Sequence, residues 1–289
     1  MVTEEEIQSV ATLNLHDPAS AAIPLAQTKH RFDIVSGWDI SPGSRILELG
    51  CGQGDCTTVL SHVVGPNGHV TAVDPGPIET YGSPYTLAQS QNHISTGRLG
   101  SRITWIEADP IAFLDSHPED KYDYAVLTHC IWYFASPTTL ENTLRALSPH
   151  TNRIAIAEWA LLSSSPNAIP HILAAFAKAD LHWRQPGQGN IRTLLSPEAI
   201  KTAGAKCGLT VEKERLIIPA PELQDARWEV SEVVSPHFLD NIDKAVASDR
   251  ERCVLHALRD SVISSKSAVL ARGKRVQCMD VWVGVFVVN

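Results

Sequence analysis

Residues 45–56 read RILELGCGQGDC. Gly50, Gly52 and Gly54 alternate with other residues directly after a short apolar run, with Glu48 just before them and Asp55 just after. Glycines so placed permit a tight turn and let a ligand come close to the backbone. At the end of a strand and the mouth of a helix, such a loop can cradle a nucleotide. A nicotinamide dinucleotide wants G-x-G-x-x-G followed about 20 residues on by an acid, and Asp74 stands at that distance. The spacing here is instead G-x-G-x-G. Asp55 occupies the place of the third small residue, at the helix N-terminus where a pyrophosphate would lie. A carboxylate beside a diphosphate is repulsive, and Glu48 adds a second negative group. An anionic loop suits a ligand that has no phosphate and carries positive charge, with Asp74 accepting from its ribose hydroxyls.

S-adenosylmethionine is such a ligand, with an ammonium, a sulfonium, a ribose diol and an adenine. Four motifs occur in order: ELGCGQG, VDP, EADPIAFL and YDYAVLTHCIWYF. In order and strand placement, residues 45–160 resemble the Rossmann-like, class I methyltransferases. The resemblance implies that Glu48, Gly50, Cys51, Gly52 and Gly54 lie along the methionine and ribose part of the cofactor. It implies that Asp74, followed by Pro75, binds the ribose hydroxyls, and that Asp109, followed by Pro110, accepts from the adenine amino group. The strand end at Thr128 would face both cofactor and substrate. The side chains of Cys51 and Cys56, which flank the loop, read as packing residues.

Methyl transfer is an in-line displacement in which the sulfonium already activates the carbon, so the protein mainly positions donor and nucleophile. An alcohol or phenol acceptor also benefits from a base. The candidate is His129 at the fourth strand end, with an ordinary value near 6.5 suited to accepting a proton at neutral pH; it could equally pack beside Cys130 and bond backbone. Glu158, at the fifth strand end, could bind a cationic substrate, orient a histidine or make a structural ion pair. Aromatic residues cluster nearby: Trp132, Tyr133 and Phe134, then Trp159 and Trp183, with Tyr81 and Tyr85 after the ribose acid. Tyr and Trp rings suit flat or cationic small molecules. Tyr81, Tyr85, Trp132, Tyr133, Trp159 and Trp183 are therefore candidate substrate contacts. HWRQPGQGN, residues 182–190, reads as a polar loop broken by Gly and Pro, and adds His182 and Arg184 as weaker candidates.

These residues need a sheet to position them. Seven β-type runs appear: SRILELG, HVTAVDP, RITWIEA, YDYAVLT, RIAIAEW, LTVEKERLIIP and VQCMDVWVGVFVV. Helical stretches such as DCTTVLSHVV and TLENTLRALS separate the first five. SPEAIKTAGAKCGL carries a Ser196 cap, Pro197 in the first turn and Gly208 at the stop. The expected class is α/β: a Rossmann-like three-layer sandwich with a seven-stranded, mostly parallel sheet. The resemblance implies an antiparallel last strand inserted between the fifth and sixth. One domain is expected, with a helical cap over residues 1–40 broken at Pro18 and Pro24, a core over 41–220, a helical insertion or lid over 221–274 and the last strand over 275–289. From Asn241 the insertion reads as one long amphipathic helical segment that could cover a sheet edge, make a homodimer contact or close over substrate.

The chain has 289 residues, 44% of them hydrophobic, and a net charge of −8. No basic stripe suggests nucleic acid, no run is long and apolar enough to span a membrane, and MVTEEEIQSV lacks a signal-peptide pattern. Six cysteines show neither a C-x-x-C pair nor zinc-like spacing, so no metal is expected and reduced thiols in the cytoplasm are. The expected cofactor is S-adenosylmethionine. The expected partner is a small molecule of the kind met in secondary metabolism, methylated on O, N or S. The motifs alone leave open a regulatory partner subunit, or a non-methylating enzyme such as a cyclase on the same scaffold.

Overall fold

The computed structural model describes residues 2–185 and 189–288. Seven strands make one sheet: β1 Arg45–Leu49, β2 His69–Asp74, β3 Ile103–Glu107, β4 Tyr124–Thr128, β5 Arg153–Trp159, β6 Leu209–Ile217 and β7 Val281–Val288. Their spatial order is β3-β2-β1-β4-β5-β7-β6. β1 to β5 run parallel, and β7 lies antiparallel to both β5 and β6. The seven apolar runs thus become strands in the expected order.

The helices are α1 Glu4–Ala11, α2 Ala22–Val35, α3 Asp55–Val63, α4 Leu87–Ser95, α5 Pro110–Ser116, α6 Pro137–Leu147, α7 Ile169–Trp183, α8 Pro197–Lys206, α9 Asp225–Val234, α10 Pro236–Ala245 and α11 Asp249–Ala271. They cover both sheet faces because the central strands are apolar on both. Along β5, Ala155, Ala157 and Trp159 enter one core with Phe32, Leu60, Leu181, Val230 and Val262, while Ile154 and Ile156 enter another with Leu144 and Ile200. This is the period-2 alternation of a strand buried on both sides. β6 is the exposed edge, and its Glu212, Lys213, Glu214 and Arg215 discourage pairing with another chain.

Two sequence expectations are corrected. Pro24 does not break α2; it sits in the first turn, where the absent N–H would have had no intrahelical partner. The segment from Asn241 is not one helix but is divided between α10 and α11, and with α9 the insertion holds three helices. Ser235 caps α10 through Oγ accepting from the Phe238 N–H at 3.1 Å, with Pro236 at its first position, and α10 ends before α11 begins at Asp249. α7, α9, α10 and α11 pack on one another. Buried Lys178 on α7 donates to Glu229 and Glu232 of α9. Gln27 of α2 donates to Asp225 at the start of α9 at 2.7 Å, so the insertion also meets the N-terminal helices.

Candidate functional site

Strand order reverses between β1 and β4, where open α/β sheets form their ligand crevice at the carboxyl ends of the strands. The loop after β1 meets the turn after β4 there. Gly50 has φ +75°, and a Cβ on it would stand 2.5 Å from Cys130 Cβ. Only glycine satisfies both the backbone angle and the contact. Gly50→Ala should cost about 2 kcal/mol of stability, read as a lower melting temperature. Gly52, with φ +52°, has nothing within 4 Å of a built Cβ, so the loop opens outward at that point.

The carboxylates fall where the motifs anticipate. Asp74 Oδ2 accepts from the Gly52 N–H and Oδ1 from the Gly76 N–H, both at 2.8 Å. This bidentate grip ties the second strand end to the glycine loop and fixes the plane of the acid. Asp109 caps α5, with Oδ1 accepting from the Ile111 and Ala112 N–H groups; Pro110 follows in the first turn. Glu48 is 2% exposed and accepts from Thr57 Oγ1 at 2.6 Å. Burial pushes it up to about 7, with the Thr57 bond and the field of Arg31 opposing. Burial likewise raises Asp55, again against Arg31. Cys56 Sγ lies 3.4 Å from Thr128 Oγ1 and Cys130 Sγ donates to the Leu49 carbonyl, so these thiols pack between β1 and β4. Burial raises the Cys51 thiol well above its ordinary value, with the Glu48 and Asp74 charges adding to it.

A second cluster sits at the ends of β4 and β5. His129 follows β4 with φ +51°, an uncommon backbone region for a non-glycine residue and a mark of strain at functional sites. Its Nδ1 lies 3.4 Å from Glu158 Oε1. Glu158 is 1% exposed, and burial pushes it up to about 7 against three backbone N–H donors, those of Trp159, Ile131 and Trp132. The expectation of an ordinary histidine value is corrected: burial drives His129 well below 6.5, with Arg31 adding to it. Among the described residues, Glu158 is thus the group of this pair poised near neutrality.

His30 of α2, absent from the motif reading, joins them. Its Nε2 is 3.0 Å from His129 Nε2. Trp159 packs against both rings, with centroids at 5.9 Å from His30 and 4.5 Å from His129, and His171 meets its edge at 5.0 Å. Arg31, next along α2, offers a buried Nη1 with no hydrogen-bond partner among the described residues. The signal was present in the sequence: Gln27, His30 and Arg31 are spaced i, i+3, i+4, which places three polar groups on one helical face.

The aromatic candidates divide. Trp159 is in the cluster. The Tyr133 phenol is raised by desolvation, and its surroundings include Tyr81, Asn190, Glu229 and Glu158. Tyr81 in turn feels Asp74 and Arg192, so Tyr81 and Tyr133 share one side of the crevice. Tyr85 is half-buried, and its carbonyl accepts from Gln53 Nε2 at 2.6 Å. Trp132 is core, its indole N–H donating to the Leu195 carbonyl. His182 is buried, with Nδ1 3.1 Å from the Ile191 carbonyl and Nε2 3.9 Å from Glu232. Trp183 is 74% exposed at the end of α7. The structure therefore makes the first part of HWRQPGQGN helical, and Arg184 pairs with Asp180 and Glu251. Pro186, Gly187 and Gln188 lie outside the described residues.

The glycine loop between two raised acids fits S-adenosylmethionine. A cation beside Glu48 would restore the ionised carboxylate that burial disfavours, and the Asp74 carboxylate keeps acceptor capacity for a diol. Sheet order, crevice and acid pattern together define a class I, S-adenosylmethionine-dependent methyltransferase. A family described as methyltransferase domain matches residues 24–214, and the chain belongs to it. It is 28% identical over 280 residues to methyltransferase phomM' of Diaporthe leptostromiformis, covering 82% of this chain and 71% of that relative. Among solved structures it is similar to a cyclopropane-fatty-acyl-phospholipid synthase-like protein from Lactobacillus casei. That match has a TM-score of 0.84 and 27% identity over 99% of this chain and 100% of the other. Geranyl diphosphate C-methyltransferase from Streptomyces coelicolor, solved with S-adenosyl-L-homocysteine, shares the fold alone at 10% identity and a TM-score of 0.51, over 90% of this chain and 76% of that one.

Proposed function

We propose that this methyltransferase acts on an oxygen, nitrogen or sulfur of a small organic molecule, in the manner of secondary metabolism. The observation that carries this reading is the buried His30–His129–Glu158 cluster packed against Trp159 at the ends of β4 and β5. Side chains this deeply buried suit a compact acceptor better than a folded polymer. The absence of a basic stripe from the −8 chain supports an acceptor other than nucleic acid. The phomM' relative, itself named a methyltransferase, supports the same chemistry.

Bound S-adenosylmethionine supplies an electrophilic methyl group. The residues that would hold it are Glu48, Gly50, Cys51, Gly52 and Gly54, Asp74 with Pro75, Asp109 with Pro110, and Thr128. Glu158 accepts from His129 and fixes the orientation of that ring at the end of β4. Trp159 excludes water from the ring faces. Residues 1–40 and 221–274 close over a 41–220 core as one unit, with Gln27–Asp225 as the clasp. Among the described residues no helix is long and apolar enough to cross a membrane. We place the enzyme in the cytoplasm and assign α11 as the face for a homodimer.

Calorimetry with S-adenosylmethionine and S-adenosylhomocysteine, followed by incubation of methyl-labelled cofactor with low-molecular-weight extracts, tests the reading. Binding of both and one labelled small product are expected. Binding without any product mass gain of one methyl group would favour a cyclase or regulatory role instead.

A further inference from the structure

The hydrogen positions in the buried cluster follow from its partners. Glu158 Oε2 accepts from the Ile131 N–H at 3.1 Å, and Oε1 accepts from the Trp159 N–H at 3.0 Å. Facing backbone donors on both oxygens, the ionised carboxylate acts as an acceptor, so His129 Nδ1, 3.4 Å from Oε1, carries a hydrogen. A neutral imidazole then has its lone pair on Nε2. His30 Nε2 is 3.0 Å from that lone pair. Two lone pairs at this distance would repel, so His30 Nε2 carries the hydrogen and donates. The lone pair of His30 is thereby left on Nδ1.

That atom is buried and, within the described residues, has no hydrogen-bond partner. Its residue is 3% exposed. A buried acceptor without a donor is an unmet cost in a folded protein, and such atoms mark places where another group belongs. Neither ring is free to turn away: Trp159 stacks on His30 at an interplanar angle of 11° and packs on His129 at 35°. Behind Trp159, His171 Nδ1 accepts from the Met279 N–H and is held out of the chain of rings.

We propose that His30 Nδ1 is the proton acceptor of the site, the open end of a relay that runs through His129 to Glu158. The proposal rests on the methyl-transfer reading above and names the acceptor class as one that must lose a proton, an O–H or N–H. The proton on the attacking atom bonds to His30 Nδ1, and its former bonding pair stays on that atom. The Nε2 proton of His30 passes to His129 Nε2, and the Nδ1 proton of His129 passes to Glu158. Both rings end neutral with their tautomers exchanged, and Glu158 changes from carboxylate to carboxylic acid. One proton enters at His30 and one negative charge disappears at Glu158. The low basicity of both rings and the raised value of Glu158 agree with storage of the proton on the carboxyl group.

The test reads ring tautomers in the protein without substrate by 15N-histidine NMR, with His30→Gln and His129→Gln assigning the two resonance pairs. At a pH of about 9, where a carboxyl group raised to about 7 is ionised, His30 should be protonated on Nε2 and bare on Nδ1, and His129 protonated on Nδ1. A proton on His30 Nδ1, or a cationic ring, overturns the relay. In His30→Gln the side-chain amide can still donate to His129, while the base is gone. Label transfer to the extract's small molecules should fall about 100-fold, with S-adenosylmethionine binding by calorimetry within about twofold of wild type. Unchanged label transfer overturns the role of His30 and leaves the methyltransferase reading standing. Failure of the wild-type protein to bind the cofactor overturns that reading itself.

Discussion

Replacing Asp74 with Ala should weaken S-adenosylmethionine binding by roughly 100- to 1000-fold, about 3–4 kcal/mol. Hydrogen bonds to an ionised group contribute about 1.5–3 kcal/mol each, and the acid can accept from both hydroxyls of a ribose. The substitution also strips the Gly52 and Gly76 N–H groups of their acceptor. The glycine loop then loses its tie to the second strand end, and binding must reorder it. Asp74→Asn keeps one acceptor oxygen and should fall between wild type and Asp74→Ala. Calorimetry measures the affinities, and circular dichroism checks that each variant is folded. Equal affinity for wild type and Asp74→Ala would remove this acid from the cofactor site.

Glu48→Gln should move stability and binding in opposite directions. Burial raises Glu48 from 4.5 to about 7. Between those values the folded chain keeps a proton that the unfolded chain has released, so stability falls as pH rises through this window. Above it, an ionised and buried Glu48 subtracts up to about 3 kcal/mol from wild-type stability. Gln cannot ionise. The variant should therefore unfold at higher denaturant than wild type above pH ~7 and match it near pH ~4. Glu158, also raised to about 7, remains in both proteins. The stability-versus-pH slope in Glu48→Gln should accordingly shrink by about 1 kcal/mol per pH unit, not vanish. The same variant loses the negative charge offered to a cationic ligand, so its affinity for S-adenosylmethionine should drop. Denaturant melts across pH, paired with calorimetry, read both effects. That pair of outcomes would mark Glu48 as a residue kept for binding at the expense of stability.

The strands and the acids at their ends were legible because their signals are local. Apolar runs such as RILEL and YAVLT can be buried on both sides only as central strands, and Asp74 ends its own strand. His30 was not legible by the same means. Its role depends on which face of α2 turns toward β4 and β5, and that is decided by packing between segments about 100 residues apart in sequence. The division of the insertion was legible, by the rule that marked Ser196 and Pro197 as a helix start. The same Ser-Pro pair recurs at Ser235 and Pro236 inside VVSPHFLDN. The break after Val246 is weaker, since Ser248 makes no side-chain cap. The values of His129 and Glu158 could not be read at all, because burial is the main cause that moves them from their ordinary ranges.

The place of β7 in the sheet has a consequence for synthesis of the chain. β6 is paired in the sheet through β7, and β5 exposes an open edge until β7 arrives. Ribosomes deliver residues in order, so β1 to β5 can assemble while β6 has nothing to pair with. Residues 281–288 then enter between two waiting strands, and Trp282 takes its register opposite Glu158. Until that insertion, the strand that carries the relay's acid has a free edge at the position of the acid itself. A nascent chain stalled before Val281 should hold the cofactor half of the crevice in near-final form and the acid half unfinished, a difference that hydrogen exchange on stalled chains would reveal as unprotected amides along β5 and β6.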